Sequence, residues 1–181
     1  EIDQAQSTGT KELKVIDPQP VTKSAAKQAI DEALKAKNDE IDARTDLTAE
    51  EKAKAKADAK ATADAAKEAI DKATTNAGVD QVKTNGTREV TSINSAAVAK
   101  IAAKQSIDEA LKAKNDEIDA RTDLTDEEKT AAKGDAKTKA DAAKTAIDNA
   151  TTNDAVTQVK NDGAASVASV TPAAVAKTEA K

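Results

Sequence analysis

Apolar positions recur along this chain at steps of three and four, the spacing of amphipathic helices. Val21, Ala25, Ala29, Ile30, Ala33, Leu34 and Ile41 form one such face, helix A. Ala53, Ala59, Ala63, Ala66 and Ile70 form a second, helix B, and Val79, Val82, Gly86, Val90 and Ile93 a third, helix C. Asp17, Asn94 and Thr171 are N-cap residue types, and Pro18 and Pro172 follow two of them at the first helical position. Helix A is therefore expected to open there and to end near Arg44. Thr48-Ala-Glu-Glu51 and Thr125-Asp-Glu-Glu128 have the pattern of capping boxes and open helix B, which should run to about Thr75. Asn76 and Asn153 read as turn or cap residues before helix C. Gly86 lies on the apolar stripe of helix C, where a glycine admits a close neighbour; the alternative is a turn at Asn85-Gly86. Period-two alternation occurs only in Ala-Lys runs, whose residues favour helix, so no strand is expected.

The pattern repeats. Ile30 to Thr48 recurs without change as Ile107 to Thr125, and residues 24–100 match 101–177 at 55 of 77 positions without a gap. Gly9, Gly86 and Gly163 fall in register. The reading is 1–17 as the last helix of a preceding repeat, 18–94 and 95–171 as two three-helix repeats, and 172–181 as the start of the next first helix. The fold class expected is all-α: tandem three-helix bundles stacked end to end into an elongated rod. An odd number of helices discharges the chain opposite its entry, so successive units advance in one direction. Helices A and B, at about 27 residues, should outreach helix C at about 17. The A–B tip should then be covered by the next helix A, Ser95 to Ala103. No proline separates Ile93 from Val98, so a continuous or kinked passage from helix C into the next helix A stays open beside a break there.

Composition narrows the chemistry. The chain has 181 residues, no His, no Cys and no aromatic residue. The usual general base, thiol nucleophile and stacking platform are missing, so neither enzyme nor cofactor is expected. The acids Asp39, Glu40, Asp42 and Asp46 lack the spacing and glycine of a calcium loop, so no metal is expected. The 28 basic and 33 acidic residues are interleaved, leaving no phosphate-tracking stripe and no nucleic-acid partner. No run is long and apolar enough for membrane insertion. Large aliphatics number only 26, a value in the disordered range; Ala-rich helix propensity and small net charge favour folding. Absence of Met leads us to expect an internal piece of a longer chain.

The succession Ala29–Ala33, Asp46–Lys52, Ala69–Asn76 and Val79–Lys83, echoed at Ser106–Ala110, Asp123–Lys129, Ala146–Asn153 and Val156–Lys160, resembles the repeat known as domain of unknown function 1542. That family occurs in tandem arrays in large cell-wall-anchored surface proteins of Gram-positive bacteria. The resemblance implies a secreted, wall-anchored parent, a stalk or adhesin role and no catalytic residues.

The identical run carries charged residues that folding need not fix. Lys35, Lys37, Asn38, Glu40, Asp42 and Arg44, with Lys112, Lys114, Asn115, Glu117, Asp119 and Arg121, are the candidate ligand surface. Recent duplication with an inter-repeat contact explains the same run without a ligand. Two functions stay open at this stage. One is a monomeric spacer whose partners are the neighbouring repeats of its own chain. The other is a module that binds a host extracellular-matrix protein weakly and multivalently. A desiccation-type disordered helix former is disfavoured, because its short repeat differs from a 77-residue one.

Overall fold

A computed structural model describes residues 20–174. All regular structure in this range is helical: α1 Pro20–Ala43, α2 Ala49–Lys72, α3 Asn76–Ser92, α4 Val98–Ala120, α5 Asp126–Asn149 and α6 Asn153–Ala168. The described residues form two compact units. The first takes residues 20–44 and 52–95, the second 45–51 and 96–174. The turn before α2 and the first turn of α2 itself thus belong to the second unit.

In the first unit, Ala26, Ile30 and Ala33 of α1, Ala63, Ala66 and Ile70 of α2, and Val79 and Val90 of α3 share one buried cluster. In the second, Ala103, Ile107 and Ile118 meet Ala132 to Ile147 of α5 and Val156 and Val167 of α6. About half of these residues are alanine, so helix packing rests on close approach as well as bulk. Helix α3 runs unbroken through Gly86, which is buried. A Cβ there would stand 2.5 Å from the Ala66 Cβ and 2.9 Å from the Ile30 Cδ1. Gly163 of α6 stands likewise against Ala143 and Ile107. Neither glycine has a positive φ, so space and not backbone freedom selects it.

Three Lys–Asp pairs recur across the helices of each unit. Lys27–Asp71 at 2.5 Å, Lys56–Asp42 at 2.5 Å and Lys67–Asp31 at 2.9 Å join α1 to α2. Lys104–Asp148, Lys133–Asp119 and Lys144–Asp108 join α4 to α5. Partly exposed pairs of this kind contribute a few tenths to about 1 kcal/mol each. They also fix which faces meet, which a nearly uniform alanine surface would leave loose.

Both capping boxes form. The Thr48 amide donates to Glu51 Oε2 at 3.0 Å and the Glu51 amide to Thr48 Oγ1 at 3.3 Å. Thr125 and Glu128 repeat the exchange at 2.8 and 3.2 Å.

Several expectations are corrected. Helix A of the second repeat opens at Val98, not at Asn94. Residues 93–97 are non-helical, so α3 and α4 are separate helices. Residues 171–174 are also non-helical. Asp17, Pro18 and Gly9 lie outside the described residues. The B helices end at Lys72 and Asn149 rather than near Thr75, and Thr75 and Thr152 cap the next helices, donated to by the amides of Gly78 and Ala155. Asn76 and Asn153 are the first helical residues.

On α1, Val21 and Ala25 face solvent, and the buried line is Ala26, Ile30, Ala33, Lys37 and Ile41. The inward line begins at half-buried Lys23, and Val21, two residues earlier, lies about 200° around the helix from it. On α2 the buried residue is Ala55, not Ala53. It continues the steps of three and four back from Ile70 through Ala59.

Candidate functional site

The repeated surface is less exposed than its residue types imply. Lys37 and Lys114 are buried, at 5% and 6%, which corrects their reading as surface groups. Each sits on the inward line of its helix with its amine turned to Glu40 or Glu117 at 2.8 Å, so the aliphatic stem is enclosed while the charge is paired. Asn38 and Asn115 are half-buried, and the Oδ1 of each is enclosed without a hydrogen-bond partner. Asp42 and Asp119 are exposed, but each pairs with a lysine of the next helix and accepts a second lysine at its carbonyl, Lys52 at 2.9 Å and Lys129 at 3.1 Å. Lys35 and Lys112 pair with Asp39 and Asp116 one turn on, at 2.7 and 2.6 Å. Arg44 donates to the Ser95 carbonyl at 3.3 Å, and Arg121 grips Asp123 through two nitrogens.

Within the second unit, the turn Thr45–Glu51 sits in a seat built from α4, α5 and the start of α6. Lys100 of α4, 4% exposed, donates its amine to the Thr45 carbonyl at 2.9 Å and to the Asp148 carbonyl at 2.7 Å. Glu51 Oε1 accepts the Ala99 amide at 3.0 Å and so caps α4, whose own N-cap residue, Ala97, offers no side-chain bond. Glu50 accepts the Asn153 amide at 3.0 Å. The Ala49 amide donates to the Thr151 carbonyl at 2.8 Å, and the fully buried Thr48 hydroxyl donates to Asn153 Oδ1 at 2.8 Å. Two acids thus meet the first turns of α4 and α6, where helix amides are unpaired and the dipole favours negative charge.

Those donors set the acidity. Burial pushes the Glu51 carboxyl upward, but the amides of Ala99, Thr48 and Val98 and the Thr48 hydroxyl outweigh it and hold the group below its ordinary 4.5. Glu50 is lowered by its own amide and by that of Asn153. A carboxyl with a depressed folded value stabilises above its unfolded value and loses that contribution as pH falls through the folded one. Melting temperature is therefore expected to hold steady from pH 7 to 5 and to fall below about pH 4.5. Glu51→Gln should lower the melting temperature at pH 7 and flatten the acid slope. An unchanged slope on circular dichroism melts would place the acid sensitivity elsewhere.

Ser95–Ala103, expected over the A–B tip, contains Ala99 and Lys100 of this seat; the parts played by Lys100, Asn153 and Glu50 are not among the expectations. The available signal was a lysine at the head of the inward line Lys100, Ala103, Ile107, which a count of apolar residues passes over. Among the described residues no group of three His, Cys, Asp or Glu is placed to hold a metal ion, and no helix is long and apolar enough to cross a membrane.

The fold and its period define an all-helical tandem repeat. The chain belongs to the family described as Domain of Unknown Function (DUF1542), whose model matches residues 22–98 and 99–175. It is 31% identical over all 181 residues to the extracellular matrix-binding protein EbhA of Staphylococcus aureus strain Mu3, of which it covers 3%. It has the same identity to EbhA of strain Newman, covering 5%, and to the extracellular matrix-binding protein ebh of strain JH9, covering 2%. The chain thus spans a small fraction of the length of these relatives. No solved structure matches it.

Proposed function

We propose that the chain is a stretch of structural stalk in an extracellular, cell-wall-anchored surface protein, holding a distal region away from the wall. The observation that carries this reading is the three-helix period. Each 77-residue repeat contributes three helices joined by short turns, which sends the chain out at the end opposite its entry. On this reading the repeats at 18–94 and 95–171 would follow one another along an axis. Small-angle scattering tests it. A rod of two units should give a radius of gyration near 25–30 Å, from the helix rise. A folded-back globule of this length would give about 16 Å and would end the stalk reading.

A second reading, weak multivalent binding of a host matrix protein, is favoured by the printed name of the relatives and by the exposed groups Lys35, Glu40 and Asp42 with their counterparts Lys112, Glu117 and Asp119. Neutralising those six positions should abolish matrix capture under the binding reading and leave the radius of gyration unchanged under both.

A further inference from the structure

We propose that the first unit carries, at the head of α1 and the start of α3, a docking seat for the Thr-Asp-Leu-Thr-x-Glu-Glu turn of another repeat of the same kind. This deepens the stalk reading and rests on it, by naming the surface through which a preceding repeat is held. The residues that seat the turn in the second unit have counterparts one period earlier in the first. The seat of Thr45–Glu51 in the second unit is made by Lys100, the Asp148 and Thr151 carbonyls, Asn153 and the Ala99 amide. Their counterparts 77 residues earlier are Lys23, Asp71, Thr74, Asn76 and the Thr22 amide; only the last differs in side chain, and there the backbone alone takes part.

Half of the arrangement is already set in the first unit. Lys23 Nζ donates to the Asp71 carbonyl at 3.0 Å, as Lys100 does to that of Asp148, so the amine is held at the place where a turn carbonyl would meet it. The burial differs in the sense the proposal requires. Lys100 is buried and Lys23 half-buried; Ala150 is buried and its counterpart Ala73 half-buried. The charge is complementary, because the turn brings two carboxylates to two helix N-termini. The occupant is fixed by the second unit, where this seat holds this turn and no other sequence.

The test uses the full chain lengthened by one period: residues 1–94 followed by residues 18–181. The first copy of the turn then precedes the second copy of Lys23. Lys23→Met in the second copy should lower the melting temperature by as many degrees as Lys100→Met does, and Lys23→Met in the first copy by markedly less. Hydrogen exchange of the first-copy Ala49 amide in the unsubstituted chain gives a readout independent of any variant. It should be slowed as much as that of the Ala49 amide that meets Thr151. Equal effects of the two Lys23 variants, or a fast-exchanging first-copy amide, would overturn the seat. Scattering on the same chain separates the two ideas. An added repeat that lengthens the particle while the amide stays unprotected leaves the stalk and removes the seat. One that does not lengthen it removes the stalk.

Discussion

Gly86→Leu is expected to unfold the first unit at temperatures where the parent chain is intact. Three helices converge on Gly86, and even a methyl would fall 2.5 Å from Ala66 and 2.9 Å from Ile30. Ala66 is pinned by its own backbone and cannot rotate away, so α3 must move outward. Overpacking of this sort costs about 1–3 kcal/mol for modest additions, and four carbons exceed that case. Gly86→Ala should also destabilise, although replacing a helical glycine gains about 1 kcal/mol of propensity. Gly134 is the control, because nothing lies within 4 Å of its missing Cβ. Gly134→Ala should raise stability by up to about 1 kcal/mol, and it installs the residue that the first repeat already has at Ala57. Thermal melts followed by circular dichroism decide the matter. A higher melting temperature for Gly86→Leu would mean that the three helices do not meet there.

Ile70→Ala should be nearly as damaging. Ile70 is fully enclosed, and in the buried cluster of its unit only Ile30, Val79 and Val90 are also larger than alanine. Removing an enclosed isoleucine to alanine costs about 2–5 kcal/mol, the upper values arising where the site cannot collapse. Half of that cluster is alanine, which has no further atoms to move into the space. A domain of this size has only some 5–10 kcal/mol in all. The unfolding midpoint should fall by at least about 8 °C, with hydrogen exchange quickening over residues 52–95. A fall below about 4 °C would show that the core tolerates the cavity.

What the sequence disclosed followed the range of each interaction. The capping boxes were readable because donor and acceptor lie three residues apart. The continuity of α3 was readable because Gly86 keeps the step of its valines. Strand was excluded by period alone. The start of α4 was misjudged for the opposite reason: its cap is Glu51, 48 residues away in the chain, so Asn94 took the role on local grounds. Ala53 was chosen over Ala55 because alternating Ala and Lys put an alanine on every side of α2. Within the candidate surface, charge alone places Lys37 and Lys114 in water, whereas both are buried. A lysine stem enclosed to its tip has no sequence signature distinct from one in water, and only its place on the inward line tells them apart.

The turn and its seat draw on residues spaced by the same 77-residue interval as the repeat itself. Thr45, Thr48, Glu50 and Glu51 recur as Thr122, Thr125, Glu127 and Glu128, and Lys23, Thr74 and Asn76 as Lys100, Thr151 and Asn153. Unequal crossing-over between gene copies adds or deletes whole periods. If every repeat carries the proposed seat, each downstream turn meets the same residues wherever the crossover falls. Copy number is thereby uncoupled from fit: the coding array can lengthen or shorten by whole periods with no compensating substitution at the join.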